Sequence, residues 1–363
     1  MTALEREIRR IIAADGPISV EQFMALCLGH PSLGYYITRD PFGVAGDFTT
    51  APEVSQMFGE LIGLWAAAIW QDMGRPAAIN LVELGPGRGT LMADALRASK
   101  IVPEFASAIH VSLVETSPVL RERQRQALEK FAGPVTWFRD VEEFPEGPLI
   151  VIANEFFDAL PVHQMVRAAD GWHERMVGID DADRLTFALH PEPVIGFERF
   201  LPSDLRDAPV GSLYEWRADH IMQALSQRIV RFGGAALVID YGHAASHAGE
   251  TLQAVRRHHF VGVLETPGEC DLTAHVDFAA LARSAQQVGT RVFGPLTQNA
   301  FLRALGIEAR ASRLKTKATP AQARDIDVAL ARLIGPSPDG MGDLFKVLAV
   351  ASPGLAQLPG FDS

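Results

Sequence analysis

Short apolar runs alternate with amphipathic segments along the chain from about residue 77. The first four runs are INLVEL (79–84), IHVSLVE (109–115), VTWF (135–138) and LIVIAN (149–154). Helical periodicity follows the first run, in TLMADALRAS, and the second run, in PVLRERQRQALEKF. Apolar strands that alternate with amphipathic helices are typical of a parallel sheet covered by helices on both faces. The pattern therefore predicts an α/β fold with a doubly wound sheet.

The same pattern divides the chain into regions. Residues 1–75 are predicted to be mostly helical, and 76–160 together with 233–352 to form the sheet and its helices. The intervening 161–232 begins with irregular, strand-like sequence and is predicted to be an inserted substrate or interaction region. Further strands are predicted at 235–242, 291–296 and 344–350, and further helices at 214–232 and 276–289.

The composition is that of a folded protein with an excess of acidic groups. Of 363 residues, 48% are hydrophobic and 21% are charged, which allows a sizeable core. The net charge of −11 argues against a nucleic-acid-binding protein, which needs a basic face. The most apolar stretch, 61–70, has about half the length that spans a bilayer, so an integral membrane protein is not expected. This stretch is predicted to lie in the core, with a homodimer interface as the alternative.

A glycine-rich turn, ELGPGRGT, separates the first predicted strand from a helix. Its glycines permit a tight turn and close approach of a ligand to the backbone; they are Gly85, Gly87 and Gly89. A dinucleotide-binding fingerprint would need a glycine where Thr90 stands. Glu83 would repel a phosphate and attract a sulfonium with its α-amino group. Taken alone, such a turn is equally well explained as a purely structural feature.

Two further acids follow the next strands. Glu115 ends the second strand and can accept both hydroxyls of a ribose, and Asp140 follows the third at a position suited to an adenine amino group. A single acid of this kind is more typically a solvated strand end. With the glycine turn, the two acids predict an adenosine ligand, and the arrangement resembles the class I S-adenosylmethionine-dependent methyltransferases. The sheet of those enzymes ends in a reversed hairpin, for which the last two predicted strands are available.

The fourth predicted strand ends in NEFFDALP, at the edge where open α/β sheets bind ligands. Asn154, Glu155 and Asp158 supply an amide and two carboxylates there and are the predicted catalytic residues. Two carboxylates can hold a guanidinium through paired hydrogen bonds, orient one nitrogen for attack on a methyl group and accept a proton. The alternative is that Asn154 and Asp158 cap the next helix.

Motifs spread over nearly the whole chain carry a closer resemblance. They are LGYYIT (33–38), GDFTTAPE (46–53), FGE (58–60), ELGPGRGTLM (83–92), VETSP (114–118), NEFFDALPVHQ (154–164), VIDYG (238–242), DLTAHVDF (271–278), TQNAFLRALGI (297–307) and MGDLFKVLAV (341–350). In this combination the chain resembles the MidA-like methyltransferases. That family includes the mitochondrial protein arginine methyltransferase that assists assembly of respiratory complex I.

The resemblance implies a Rossmann-like, seven-stranded sheet with S-adenosyl-L-methionine (S-adenosylmethionine) as cofactor. It implies a protein arginine N-methyltransferase that forms symmetric dimethylarginine on the 49-kDa-type subunit of complex I. It also assigns cofactor contacts to Gly85, Gly87, Gly89 and Glu115. The expected location is the cytoplasm of a bacterium or the mitochondrial matrix of a eukaryote. A non-catalytic assembly chaperone that binds S-adenosylmethionine is the alternative from another class of function.

Three more predictions concern the surroundings of the site. The GDFTTAPE segment is predicted to close over the cofactor and exclude water, with Asp47 and Thr50 in contact with it. A helix that begins near Thr50 is the alternative. Tyr241 and His275 are candidate residues of the substrate cleft, although a strand-end turn and a helix cap explain them equally well.

Other chemistries lack their motifs. The two cysteines, Cys27 and Cys270, are not in a Cys-x-x-Cys pair. His243 and His247 lie in a turn without the adjacent glutamate of a metalloprotease helix, so no metal site is predicted. A serine hydrolase is not expected because no G-x-S-x-G motif occurs.

Overall fold

Helices and strands alternate in the computed structural model, which describes residues 1–39 and 50–361. The helices are α1 (Ala3–Asp15), α2 (Val20–Gly29), α3 (Tyr35–Thr38), α4 (Ala51–Val54), α5 (Gln56–Asp72), α6 (Thr90–Ser99), α7 (Pro103–Ala108), α8 (Pro118–Leu128), α9 (His220–Phe232), α10 (Phe278–Val288), α11 (Gln298–Ala304), α12 (Ile307–Lys315) and α13 (Pro320–Ile334). The strands are β1 (Ile18–Ser19), β2 (Ile79–Leu84), β3 (Ile109–Val114), β4 (Val135–Phe138), β5 (Leu149–Asn154), β6 (His163–Ala168), β7 (Gly171–Ile179), β8 (Leu185–Leu189), β9 (Leu213–Trp216), β10 (Gly234–His243), β11 (Gln253–Arg256), β12 (His259–Val261), β13 (Asp271–Thr273), β14 (Val276–Asp277), β15 (Arg291–Thr297) and β16 (Phe345–Ala351).

The central sheet has the strand order β15-β16-β10-β5-β2-β3-β4, with the short β14 beside β10. The strands β4, β3, β2, β5 and β10 are mutually parallel, whereas β16 runs antiparallel to both of its neighbours. The predicted α/β fold is therefore confirmed, including the reversed final hairpin. Parallel strands end at one edge of the sheet, so the segments that follow β2, β3, β5 and β10 meet there.

Helices cover both faces of this sheet. On one face α5 and α6 pack on the strands, and on the other α9 and α10 do so. Trp65 and Ile69 of α5 are 1% and 0% exposed, so the apolar stretch at 61–70 belongs to the core, as predicted. Gly63 allows α5 to approach α6 closely, because an added Cβ would lie 2.5 Å from the carbonyl oxygen of Ala95. Each fully buried large apolar side chain contributes about 1.5–3 kcal/mol.

A second unit combines the N-terminal helices with two later parts of the chain. The inserted strands form a sheet in the order β1-β7-β6-β9, with β8 beside β7, and β12-β11-β13 form a three-stranded sheet. Phe23 and Cys27 of α2 share a core with Val177 of β7 and Leu272 of β13. A capping box between Ser19 and Gln22 begins α2. Segments distant in sequence thus meet above the edge of the central sheet.

The predicted helix at 214–232 is wrong at its start. Residues Leu213–Trp216 form β9, which pairs with β6, and the helix begins only at His220. Aromatic side chains favour the pleated surface of a sheet, and the ring of Trp216 stacks on His163 across the pair, 4.5 Å between centroids. Tertiary pairing therefore overrides the helical periodicity in this segment.

Within the two described ranges, the structure contains no helix long and apolar enough to cross a membrane.

Candidate active site

A cavity of about 430 Å³ opens at the carboxyl edge of the central sheet. It is lined from the sheet by the segments after β2, β3, β4 and β5 and by the carboxyl end of β10, and from above by α2, α3, α9 and β13. The predicted site residues that line it are Thr50, Gly85, Gly87, Glu115, Asp140, Glu155, Asp158 and Tyr241. The position agrees with the rule that open α/β sheets bind ligands at this edge.

The glycine turn places main-chain atoms on the cavity wall. Gly85 and Gly87 have φ angles of +58° and +52°, in the left-handed region that favours glycine. Gly89, at φ +83°, is the N-cap of α6 and packs against α8 instead of lining the described cavity. Two of the three glycines therefore line the cavity, and the third forms the start of α6.

Glu115 and Asp140 lie where a nucleoside would need acceptors. Glu115 lines the cavity and accepts hydrogen bonds from the N–H of Ser117 at 2.7 Å and from Gln124 Nε2 at 3.1 Å. Burial raises the pKa of this carboxyl. A carboxylate has about four lone-pair sites, so Glu115 keeps capacity for two ribose hydroxyls. Asp140 is exposed at the cavity rim and accepts only the N–H of Glu142, 3.2 Å away, among its described hydrogen bonds.

Glu83 occupies a different place from these acids. Its side chain is buried beneath the glycine turn, where it accepts the N–H of Met92, and it is not among the described residues that line the cavity. Burial raises its pKa to about 8. Its Oε2 atom has no hydrogen-bond partner in the described part of the chain. The predicted attraction between Glu83 and a sulfonium therefore stays a prediction.

Gln124 holds this side of the site together and was not identified from the sequence. Its Nε2 atom donates to the carbonyl oxygen of Gly87 at 2.7 Å and to Glu115 at 3.1 Å, and its Oε1 accepts from Trp137 Nε1 at 2.8 Å. The side chain is fully buried. One amide thus fixes the glycine turn and the Glu115 carboxylate relative to each other.

We expect Gln124→Leu to weaken S-adenosylmethionine binding by about 10-fold, because it releases Gly87 and Glu115 and leaves buried polar groups unpaired. Calorimetric titration measures the dissociation constant. The control is Gln126→Leu, an exposed glutamine on the same helix that bonds only Glu122 in the described structure. Equal affinities in the two variants would contradict the role given to Gln124.

Glu155 is held in a strained, partly buried position in the wall of the cavity. Its φ angle of +49° is rare for a residue with a side chain. Its Oε1 atom accepts hydrogen bonds from Asn154 Nδ2 at 3.1 Å and from the N–H of Ala51 at 3.4 Å. Burial, and then the charge of Asp158, raise the pKa of Glu155 to about 8. Asn154 itself contacts Glu155 and is not one of the described cavity-lining residues.

Asp158 lies in a network that joins the ends of β5 and β10. Burial raises its pKa, while a hydrogen bond with the Tyr241 hydroxyl opposes that shift. Asp240 Oδ2 accepts the successive N–H groups of residues 156–158 at 3.0–3.2 Å, which fixes the loop after β5. Arg217, from the inserted region, donates to main-chain carbonyl oxygens of the same loop and of the segment after β13: Asp158, Leu160, Ala274 and His275.

The other predicted site residues differ in their position relative to this cavity. Thr50 lines it and is also the N-cap of α4, so the alternative of a helix start is confirmed, while its contact with the cofactor stays a prediction. Glu53 of α4 accepts a hydrogen bond from the Thr90 hydroxyl, which ties this segment to the glycine turn. His275 packs edge-to-face on Tyr241, 5.6 Å between ring centroids, and in the described structure it is not part of the cavity wall. Asp47 lies outside the described residues.

Sequence reasoning also missed a hydrogen-bonded pair in the cavity wall, Tyr36 and Asp271. The Tyr36 hydroxyl donates to Asp271 Oδ1 at 2.8 Å. Both residues lie within motifs quoted for the family resemblance, LGYYIT and DLTAHVDF. Those motifs were the available signal, but the meeting of the two side chains depends on packing between α3 and β13.

Comparison with known proteins gives concordant matches. Residues 61–296 match the family described as "Putative S-adenosyl-L-methionine-dependent methyltransferase". The chain is 37% identical to Protein arginine methyltransferase NDUFAF7, mitochondrial, of Danio rerio, over 93% of this chain and 84% of that protein. The human protein of that name is 38% identical over 89% of this chain and 78% of its own.

A solved structure extends the likeness to the fold and its ligand. A protein from Burkholderia thailandensis, crystallised with S-adenosyl-homocysteine, is 31% identical and superposes with a TM-score of 0.85. The alignment covers 99% of this chain and 94% of that one. The glycine turn, the spare acceptor capacity of Glu115 and the rim position of Asp140 fit such a ligand. This chain therefore belongs to the MidA-like family of S-adenosylmethionine-dependent methyltransferases, with S-adenosylmethionine as its methyl-donating cofactor.

Proposed function

We propose that this chain transfers methyl groups from S-adenosylmethionine to arginine side chains of a protein substrate. The observation that carries the proposal is the cavity itself, whose wall combines the predicted donor-site residues with two buried carboxylates, Asp158 and Asp271, and the partly buried Glu155. A guanidinium stays cationic at physiological pH and offers five N–H donors, so it suits such a wall. The names of the relatives, protein arginine methyltransferases, support the same acceptor.

Glu155 is the proposed proton acceptor. The donor supplies an electrophilic methyl group, and each transfer leaves one proton in excess on the acceptor nitrogen. A pKa of about 8 is close to the working pH, which is the best match for a group that must take up a proton. Asn154 orients Glu155 through its hydrogen bond. Asp158 is proposed to bind and orient the guanidinium.

The finer assignments belong to the same proposal. The product is symmetric dimethylarginine, the substrate is the 49-kDa-type subunit of respiratory complex I, and the reaction supports assembly of that complex. The inserted region 161–232 takes part in substrate binding, supported by Ile221 in the cavity wall and by Arg217 behind it. The names of the relatives place them in mitochondria, which supports this subunit as substrate.

Incubation of the candidate subunit with S-adenosylmethionine and this protein tests the proposal. We expect the intact mass of the subunit to rise by whole methyl groups, with the modification at arginine in its peptides. A Glu155→Gln protein serves as the control for non-enzymatic methylation. A subunit that binds this protein and gains no mass would instead support the non-catalytic assembly chaperone.

The pH dependence of the reaction follows from the raised pKa of Glu155. We expect kcat/KM for an arginine substrate to rise with pH and to level off above about 8, because the carboxyl must be ionised both to attract the guanidinium and to take its proton. The arginine itself stays charged over this range. Initial rates between pH 6 and pH 9 measure the profile. A profile that is flat, or that falls with pH, would contradict this assignment.

A further inference from the structure

The wall of the cavity opposite the sheet edge comes from the N-terminal helices and from β13. Tyr36 of α3 and Asp271 of β13 supply its polar groups. Apolar atoms of α2 surround them, from Ala25 and Leu28. The residues that fit the donor all follow strands of the central sheet. The cavity therefore has a second side whose chemistry the donor site does not use.

The Tyr36–Asp271 hydrogen bond fixes a carboxylate on this second side. The two residues are 235 positions apart in the chain, and the O–O distance is 2.8 Å. Burial, and then the charge of Asp271, raise the pKa of Tyr36 well above its ordinary value, so the phenol keeps its proton and remains a donor. Asp271 is 4% exposed and also raises the pKa of Glu155. These carboxylates therefore act on one another across the cavity.

Asp158 supplies an independent sign of a ligand. Its side chain is 5% exposed and lines the cavity, and its Oδ1 atom has no hydrogen-bond partner in the described structure. In the described part of the chain, the nearby cation, Arg217, donates hydrogen bonds to main-chain carbonyl oxygens, including that of Asp158, and not to this carboxylate. A buried carboxylate oxygen without a donor is costly. It is well suited to accept an N–H group from an incoming ligand.

We propose that Asp271 and Asp158 together bind the guanidinium of the acceptor arginine, with Tyr36 as the positioning residue of Asp271. This inference rests on the proposed arginine methyltransferase function and assigns its acceptor subsite. The planar fork of a guanidinium matches two carboxylates better than the single ammonium of lysine does. Glu155, on the same cavity, is then left to accept the proton.

The test measures binding without methyl transfer. N-acetyl-arginine amide is titrated calorimetrically into protein loaded with S-adenosylhomocysteine. We expect Asp271→Asn to weaken this probe by about 10- to 100-fold, as loss of a charge-assisted hydrogen bond does. Tyr36→Phe should weaken it less and should add little to Asp271→Asn in the double variant, because Tyr36 acts through Asp271. The uncharged citrulline analogue should bind weakly and respond little to Asp271→Asn.

The controls separate this subsite from the donor site and from folding. Tyr35→Phe removes a hydroxyl from the residue of α3 that precedes Tyr36. Tyr35 is buried in the core and is not one of the described cavity-lining residues, so this variant should leave probe affinity unchanged. The affinity for S-adenosylhomocysteine should be the same in all variants. If Asp271→Asn does not fold, the affinity of Tyr36→Phe for the probe and that of the wild-type protein for the citrulline analogue still test the inference.

Three results would overturn the inference. They are wild-type affinity for the probe in Asp271→Asn, an equal loss of S-adenosylhomocysteine affinity in that variant, and no binding of the probe by the wild-type protein. The first two leave arginine methylation itself intact. The proposed function fails separately, if no acceptor protein gains methylarginine.

Discussion

Glu155→Gln is expected to slow methyl transfer by at least about 100-fold, the usual contribution of a positioned proton acceptor. The amide keeps the size of the side chain but can neither take up a proton nor attract the guanidinium by its charge. S-adenosylmethionine affinity should remain, because the residues proposed to contact the donor follow other strands, β2, β3 and β4. Single-turnover rates with saturating donor measure the chemical step, and calorimetry measures donor binding.

Glu60→Gln is the matched control for this variant. Glu60 is a buried glutamate that pairs with Arg97 and Arg310 and is not among the described residues of the cavity wall. Its loss should lower stability and leave the transfer rate of the folded protein unchanged. Retained activity in Glu155→Gln would remove Glu155 from the mechanism.

Gly87→Val is expected to weaken S-adenosylmethionine binding by more than about 30-fold. A valine at a φ angle of +52° carries about 2 kcal/mol of backbone strain, which corresponds to that factor if the strain is relieved only in the unbound turn. Its side chain would also occupy the space that the main chain leaves for the ligand, because Gly87 lines the cavity. A calorimetric titration of the folded variant gives the affinity.

Gly306→Val imposes a similar strain elsewhere. Gly306 has a φ angle of +83° at the start of α12, and no atom of the described residues lies within 4 Å of an added Cβ. It should lower the melting temperature and leave donor affinity unchanged. Donor affinity that is equally reduced in both variants would mean that Gly87→Val acts through general stability and not at the site.

The periodicity of the sequence was sufficient to predict the central sheet because its strands are buried on both faces and therefore almost uniformly apolar. The carboxyl edge follows from strand order, which is why Glu115, Glu155 and Asp158 could be placed at one site before the structure. The strand β9 could not be predicted in this way, since its backbone is satisfied only by pairing with β6.

The residues on the second side of the cavity could not be predicted from the sequence for a similar reason. Tyr36 and Asp271 belong to elements whose meeting is decided by a core that α2, β7 and β13 share, and local pattern does not encode that meeting. Gln124 likewise resembles any helix residue until α8 packs against the glycine turn. Glu83 is the opposite case. It is adjacent to the glycine turn in sequence, but its side chain is buried and is not among the described residues that line the cavity.

Identification of the methylated amino acid shows whether this protein methylates arginine. The candidate complex I subunit is incubated with this protein and methyl-labelled S-adenosylmethionine, hydrolysed completely, and its amino acids are separated. We expect the label to appear in symmetric dimethylarginine and to be absent when Glu155→Gln replaces the wild type. Label in methylated lysine, histidine or a carboxyl ester, with none in arginine, would contradict it.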